Sequence, residues 1–127
     1  VYEVANAPLE VAKQINLYAM MRYNRLVREF MEGLIGGKYR QQDYSYTKKD
    51  INVFFSHLQE QNDEVAAWSE QTIMKLKQVL NRCLVETAML DSVKDSTLNP
   101  IFISSELETG IRENNDLTAL SAFNCFR

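Results

Sequence analysis

The sequence is short of the residues that build covalent scaffolds and metal sites. Its 127 residues include two cysteines, two prolines, four glycines and one histidine. Cys83 and Cys125 are too few for a disulfide framework, and their spacing matches no zinc-binding pattern. We therefore expect a reducing, cytoplasmic environment, with no metal ion and no cofactor.

Long apolar runs are absent as well. The longest, residues 17–21, has five residues, whereas a helix that crosses a bilayer needs about 20. We expect no membrane span, and the first nine residues lack the basic and apolar blocks of a signal peptide. Val1 in place of an initiator methionine predicts that the chain is part of a longer product.

Excess positive charge is lacking too, since the net charge is −3. The first 50 residues carry eight lysines or arginines against six acids, and the remainder carries six against eleven. Any basic surface must therefore be local. With 46% apolar and 24% charged residues, the chain has the composition of one soluble globular domain, large enough to bury a core.

Helical spacing dominates the first half of the chain. Pro8 is placed as a first-turn proline would be, and the apolar pattern from there to Ile35 predicts one long helix or two in series. Gly36 and Gly37 predict a left-handed C-cap, followed by a loop over residues 38–46. Thr47 then predicts an N-cap, with Asp50 in the first turn of a helix of about 15 residues.

The second half begins with the clearest helix. Asn62 and Asp63 end the preceding helix, and Ser69 opens one over residues 70–90. Its apolar stripe consists of Ile73, Leu76, Leu80, Cys83, Thr87 and Leu90.

The remaining pattern is shorter and more polar. Residues 100–103 are extended and apolar, and a β pair with residues 90–93 is compatible with the pattern. Ser104 or Ser105 predicts the cap of a helix ending at Asn114, and Asp116 the cap of a last helix over 117–126. We predict a mainly α, compact helical bundle with at most one short β hairpin.

This order of elements also describes a winged helix-turn-helix. We divide the chain into an N-terminal helical segment, residues 1–46, and a helix-turn-helix-like part with a small wing, residues 47–127. The two parts are expected to form one compact unit. In a winged helix-turn-helix the helix over residues 70–90 would be presented to DNA, although many helical bundles share the order.

The sequence contains no recognisable arrangement of catalytic residues. His57 has no nucleophile or carboxylate cluster that the sequence marks as its partner, and Glu60 and Asp63 read as solvated helix-end charges. The adjacent glycines follow a helix instead of preceding one, so they form no phosphate-cradling motif. We predict no catalytic residue.

Two cationic sets are candidates for contact with nucleic acid. Gln71, Lys75, Gln78 and Arg82 share one polar strip opposite the apolar stripe, and such side chains contact phosphates and base edges. A solvated helix face is the alternative.

The second set lies earlier in the chain. Its members are Arg22, Arg25, Arg28, Lys38 and Arg40, with Lys48 and Lys49 at the next helix start, and tyrosines are interleaved as in strand-binding sites. Glu29 and Glu32 on the same helix offer the alternative of salt bridges.

Four segments carry a family resemblance: residues 17–30 (LYAMMRYNRLVREF), 50–55 (DINVFF), 68–80 (WSEQTIMKLKQVL) and 88–90 (AML). They resemble the BrxA-like family of the BREX bacteriophage-exclusion systems, over residues 9–126. An N-terminal helical part of the family would be missing. The family has carried an inner-membrane label, which this sequence contradicts because it has no spanning segment.

The resemblance implies a mostly helical, NusB-like fold and a non-enzymatic protein that binds double-stranded DNA in phage defence. The alternative is a helical module that docks another subunit of the defence complex. The resemblance supplies no catalytic residue, and the sequence leaves the oligomeric state open.

Overall fold

The computed structural model describes the backbone of residues 2–126 and the side chains of residues 9–126. Its helices follow one another with short connections. They are α1 (Tyr2–Tyr23), α2 (Arg25–Glu29), a π-helical segment (Phe30–Ile35), α3 (Gly36–Arg40), α4 (Lys48–Gln61), α5 (Asp63–Ala66), α6 (Glu70–Glu86), α7 (Ser105–Glu113) and a 3₁₀ helix (Leu117–Phe123).

The first long helical segment divides at Asn24, which confirms two helices in series. Asn24 has extended backbone angles, and its side-chain oxygen accepts hydrogen bonds from the amides of Leu26 and Val27. It is therefore the N-cap of α2. α1 begins at Tyr2, so Pro8 does not lie in the first helical turn as predicted.

The predicted break at Gly36 and Gly37 is wrong. Gly36 has right-handed helical angles, with φ −61°, and α3 continues directly from the π-helical segment to Arg40. Gly36 serves packing instead of reversal, because a Cβ placed there would lie 2.5 Å from Ser121 Oγ. The glycine lets this helix approach the 3₁₀ helix closely.

The predicted N-caps at Thr47, Ser69 and Ser104 are confirmed. Asp50 accepts a hydrogen bond from the Thr47 amide at 2.8 Å in a capping box. The hydroxyl oxygens of Ser69 and Ser104 each accept one from the amide three residues later, at 3.2 Å. Asn62 ends α4 and caps α5.

The last third departs further from prediction. In place of the β pair between residues 90–93 and 100–103, residues 2–126 contain one isolated antiparallel bridge, between Ser45 and Thr97. The predicted last helix is a 3₁₀ helix that ends at Phe123, and Asp116 makes no capping hydrogen bond.

One hydrophobic core spans the chain from α1 to the 3₁₀ helix. Met21, Phe30, Leu84, Ile111 and Phe123 are among its fully buried side chains. Helices enclose this core, which confirms a mainly α, compact bundle. None of the described helices combines the length and apolar character that crossing a membrane requires.

Candidate nucleic-acid interface

A groove of about 490 Å³ lies between α1 and α6. Amphipathic α6 buries Leu80 and Leu84 in the core, which leaves the opposite side of the helix in solvent. Lys75, Gln78 and Arg82 occupy that side at i, i+3 and i+7, so they follow one edge of the helix. All three line the groove, whereas Gln71, the fourth member of the predicted strip, is exposed and does not line it. The structure thus brings three of the four predicted α6 residues together.

The groove also receives a cation from α1. Lys13 lines the wall opposite the α6 strip, on a helix far away in sequence. Within residues 9–126, the side chains of Lys13, Lys75 and Arg82 have no carboxylate at ion-pair distance. Glu86 is the acid among the described lining residues. The groove is therefore cationic in a chain whose net charge is negative.

The floor of the groove is apolar. Leu17 is buried, Met20 and Cys83 are half-buried, and Val79 is 45% exposed. Burial raises the pKa of the Cys83 thiol, and the charge of Glu86 raises it further. A thiol held protonated in this way is a weak nucleophile. The Cys83 side chain therefore adds apolar surface to the groove.

A second groove lies on the other side of α6. Asn81 of α6 lines it together with Lys48 of α4 and Lys94 of the following loop. Lys49 is exposed beside Lys48 at the start of α4. Within residues 9–126, Lys48, Lys49 and Lys94 have no carboxylate at ion-pair distance. Cations without a described carboxylate partner thus lie on both flanks of α6, two of them from the predicted helix-start pair.

The predicted arginine set is mostly engaged within the protein. Arg25 pairs with Glu29 at 3.0 Å. Arg28 is half-buried and pairs with both Glu32 and Asp116. The salt-bridge alternative therefore describes these two arginines.

Arg22 and Arg40 lie against aromatic rings instead. The Arg22 guanidinium is 6.0 Å from the ring centres of Tyr18 and Tyr23. That of Arg40 is 5.5 Å from Phe126. Both arginines stay exposed, but neither lines the α1/α6 groove.

Lys38 does not fit the predicted role of a loop phosphate contact. It lies in α3, it is 8% exposed, and its ammonium is 3.4 Å from carboxylate oxygens of both Asp43 and Asp50. The pKa of Asp50 is lowered: burial acts against this, but the Thr47 amide and the Lys38 charge outweigh it. Lys38 thus ties α3 to the start of α4.

The candidate enzymatic groups lie apart from both grooves. His57 is exposed, and its Nδ1 is 3.8 Å from Glu60, as a surface histidine would be. In the part of the chain that the structure describes, no group of histidine, cysteine and acidic side chains is arranged to hold a metal ion.

Comparison with known proteins identifies the family of this chain. The BrxA family model matches residues 1–115. The chain belongs to the BrxA family. The BREX protein BrxA of Bacillus cereus (strain H3081.97) is 37% identical over 92 residues, which cover 72% of this chain and 46% of that relative.

A second BrxA-family relative is more distant. The BREX protein BrxA of Paramagnetospirillum magneticum (strain ATCC 700264 / AMB-1) is 23% identical over 113 residues, 89% of this chain and 57% of the relative. The chain thus spans about half the length of the curated relatives it matches. The family match includes α1, α6 and every predicted contact residue.

The α1 side of the groove in this BrxA-family chain was not predicted from the sequence. The local sequence does not distinguish Lys13 and Asn16 from other exposed helix residues. They line the groove only because α1 lies beside α6. The α6 strip was detectable because its members share one helix face.

Proposed function

We propose that this BrxA-family chain is a DNA-binding accessory component of a BREX-type phage-defence system. It contacts double-stranded DNA mainly through phosphates and catalyses no reaction. The observation that carries the proposal is the gathering of Lys13, Lys75 and Arg82, none paired with a described carboxylate, along one groove. The names of the two relatives support the assignment to BREX.

The spacing on α6 suits a phosphate backbone. Lys75 and Arg82 are seven positions apart along the helix, a rise of about 10.5 Å at ~1.5 Å per residue. A B-DNA strand carries one phosphate per ~3.4 Å of axis, so the two side chains reach different phosphates. The Gln78 amide lies between them and donates to the same backbone. Such contacts position a duplex without reading its sequence.

The flanking helices also favour backbone contact. α6 forms a wall of both grooves, so α1 and the start of α4 stand on either side of it. A helix enclosed in this way does not enter a major groove deeply, whereas Lys48, Lys49 and Lys94 extend its reach to phosphates on the far flank. We therefore expect little base specificity.

A salt series tests the proposal. The logarithm of the duplex affinity of the full-length protein, measured by gel shift, should fall linearly with the logarithm of the salt concentration, with a slope of about 0.9 per phosphate neutralised. Replacing Lys75 and Arg82 by alanine should reduce that slope by about 0.9 for each lost contact. Arg25→Ala is the matched control, because it removes one exposed charge that is already paired with Glu29.

Two results would end the DNA proposal. One is no duplex binding by the full-length protein at about 50 mM salt, where phosphate contacts are strongest. The other is a slope that Arg25→Ala reduces as much as either α6 substitution. The second result would show that duplex binding depends on the overall charge of the protein and not on the groove.

The alternative function is docking of another defence subunit. It is favoured by Tyr23, which is 85% exposed beside Arg22, because tyrosine and arginine are enriched in interface hot spots. Co-purification with co-expressed BREX subunits should then survive nuclease treatment and be lost in a Tyr23→Ala, Arg22→Ala double variant. Retention by the double variant would exclude this surface.

A further inference from the structure

The apolar floor of the α1/α6 groove has no use in phosphate contact. Lys13, Lys75 and Arg82 suffice to meet a backbone, yet between them lie Met20 and Val79, both with solvent-accessible apolar surface. A duplex presents charged, strongly hydrated phosphates to such a groove. An occupant that covers the whole groove must therefore be apolar along its centre and anionic along its edges.

We propose that this groove docks an amphipathic helix of a partner protein that carries carboxylates beside its apolar stripe. Large aliphatic side chains at i, i+3 or i+4, and i+7 lie on the floor formed by Leu17, Met20 and Val79. Flanking glutamates or aspartates pair with the cations of the two walls. This docking does not depend on the proposed DNA function, although both use Lys75 and Arg82.

Charge complementarity selects this occupant. The three wall cations have no described carboxylate partner, while the chain as a whole carries −3. An acidic helix is therefore attracted to this groove, while the net negative charge of the chain disfavours unspecific binding elsewhere. The groove volume of about 490 Å³ falls within the ~300–1,000 Å³ range of pockets that bury a drug-sized ligand.

The position of Glu86 adds an orientation. It lies at the end of α6, one turn beyond Arg82, and it lines the same groove. A partner carboxylate near Glu86 would be repelled. Lys13 lies at the Glu86 end, since the two residues also line a neighbouring pocket. The carboxylates of the docked helix therefore concentrate towards Lys75, at the other end of the groove.

A designed peptide serves as the probe. It is a fluorescein-labelled helix of about 15 residues with leucines at i, i+4, i+7 and i+11 and glutamates on both flanks of that stripe. Fluorescence anisotropy with the full-length protein should detect binding. A peptide with lysines in place of the glutamates, and one of equal composition with its leucines dispersed, should both fail to bind.

Val79→Gln separates the two ligands. Because Val79 is an exposed helix position, glutamine removes apolar surface without changing charge or core packing. Peptide affinity should fall at least about fivefold, equivalent to ~1 kcal/mol, while duplex affinity and its salt slope stay unchanged. Circular dichroism checks that the variant folds. The Lys75→Ala, Arg82→Ala double variant should have lower affinity for both the peptide and the duplex.

The other possible results of these experiments decide whether the groove docks an acidic helix. The proposal is overturned if the acidic peptide does not bind the wild type at about millimolar concentration, or if Val79→Gln binds it equally well. Equal losses of peptide and duplex in Val79→Gln would assign the floor to DNA. Sedimentation that shows a dimer dissolved by Val79→Gln would assign it to a second copy. Peptide binding without any duplex binding would support docking and refute only the proposed DNA function.

Discussion

At the scale of single residues, Gly36 shows how packing overrides local preference. Alanine is ordinarily better than glycine inside a helix by about 1 kcal/mol. At Gly36 the added methyl would meet Ser121 Oγ at 2.5 Å and Ser121 Cβ at 3.1 Å. Because a serine side chain is short and Ser121 is buried, relief requires the helices to separate. Gly36→Ala should therefore lower the free energy of unfolding, by about 1–3 kcal/mol.

Gly37 is the matched control for this substitution. It lies in the same helix, and a Cβ there would meet nothing within 4 Å. Gly37→Ala should raise the free energy of unfolding by about 0.5–1 kcal/mol. Urea denaturation of both variants measures the difference. Equal effects of the two substitutions would contradict the close approach of α3 to the 3₁₀ helix.

At the scale of helices, Asn24 decides where α1 ends and α2 begins. Its side-chain oxygen accepts from the Leu26 amide at 3.0 Å and from the Val27 amide at 3.3 Å. Asn24→Ala leaves those donors without this partner, and N-cap losses of this kind cost about 1 kcal/mol. Asn24→Asp keeps the acceptor and adds a negative charge at a helix start.

Thermal unfolding of the two Asn24 variants tests the cap. We expect the alanine variant to melt a few degrees below the wild type, at about 4 °C per kcal/mol for a domain of this length. The aspartate variant should melt at the same temperature as the wild type. If both variants melt at the same temperature, the break at Asn24 is maintained by core packing and not by the cap.

The same scale explains which helices the sequence could predict. Capping is local, so Thr47, Ser69 and Ser104 identify their helix starts from residues three positions away. The caps predicted at Gly36 and Asp116 were wrong because the roles of these residues depend on partners distant in sequence. The partner is Ser121 for the glycine and Arg28 for the aspartate. Only tertiary packing brings such partners together, and no local pattern encodes them.

The candidate site divides in the same way. Gln78 and its two cationic neighbours on α6 were predictable because one helix face carries them all. Lys13 was not, since it faces them from another helix. The burial of Lys38 was equally hidden, because no local pattern pairs it with Asp50, which was predicted in the first turn of α4.

At the scale of the whole molecule, one ion-pair cluster joins the start of the chain to its end. The Asp116 carboxylate accepts hydrogen bonds from the Arg28 guanidinium at 2.7 and 3.1 Å and from the Tyr18 hydroxyl at 3.0 Å. The hydrogen bonds from Arg28 are the main reason why the pKa of Asp116 is lowered, and they outweigh its burial. The segment before the 3₁₀ helix is thereby attached to α1 and α2.

Acid should release this attachment. A carboxyl whose pKa is lowered in the folded state stabilises the fold above its unfolded value of about 4, and the contribution is lost as pH falls through the folded value. Asp43 and Asp50 act in the same direction, since their pKa values are also lowered: Asp43 by Ser45, Asp50 by Thr47 and Lys38 against the effect of its burial. The free energy of unfolding should therefore decline below about pH 4.

Asp116→Asn isolates the contribution of the cluster. At pH 7 the variant should be less stable by about 1–3 kcal/mol, because Arg28 keeps Glu32 but loses its second carboxylate. The gap between wild type and variant should narrow as pH falls below about 4 and through the lowered pKa of Asp116, since protonation of Asp116 removes the same interaction from the wild type. Urea denaturation across that range measures the gap. Asp63→Asn, at an exposed position, should give a curve parallel to the wild type. A gap for Asp116→Asn that does not narrow below about pH 4 would show that the ion pair is not its source.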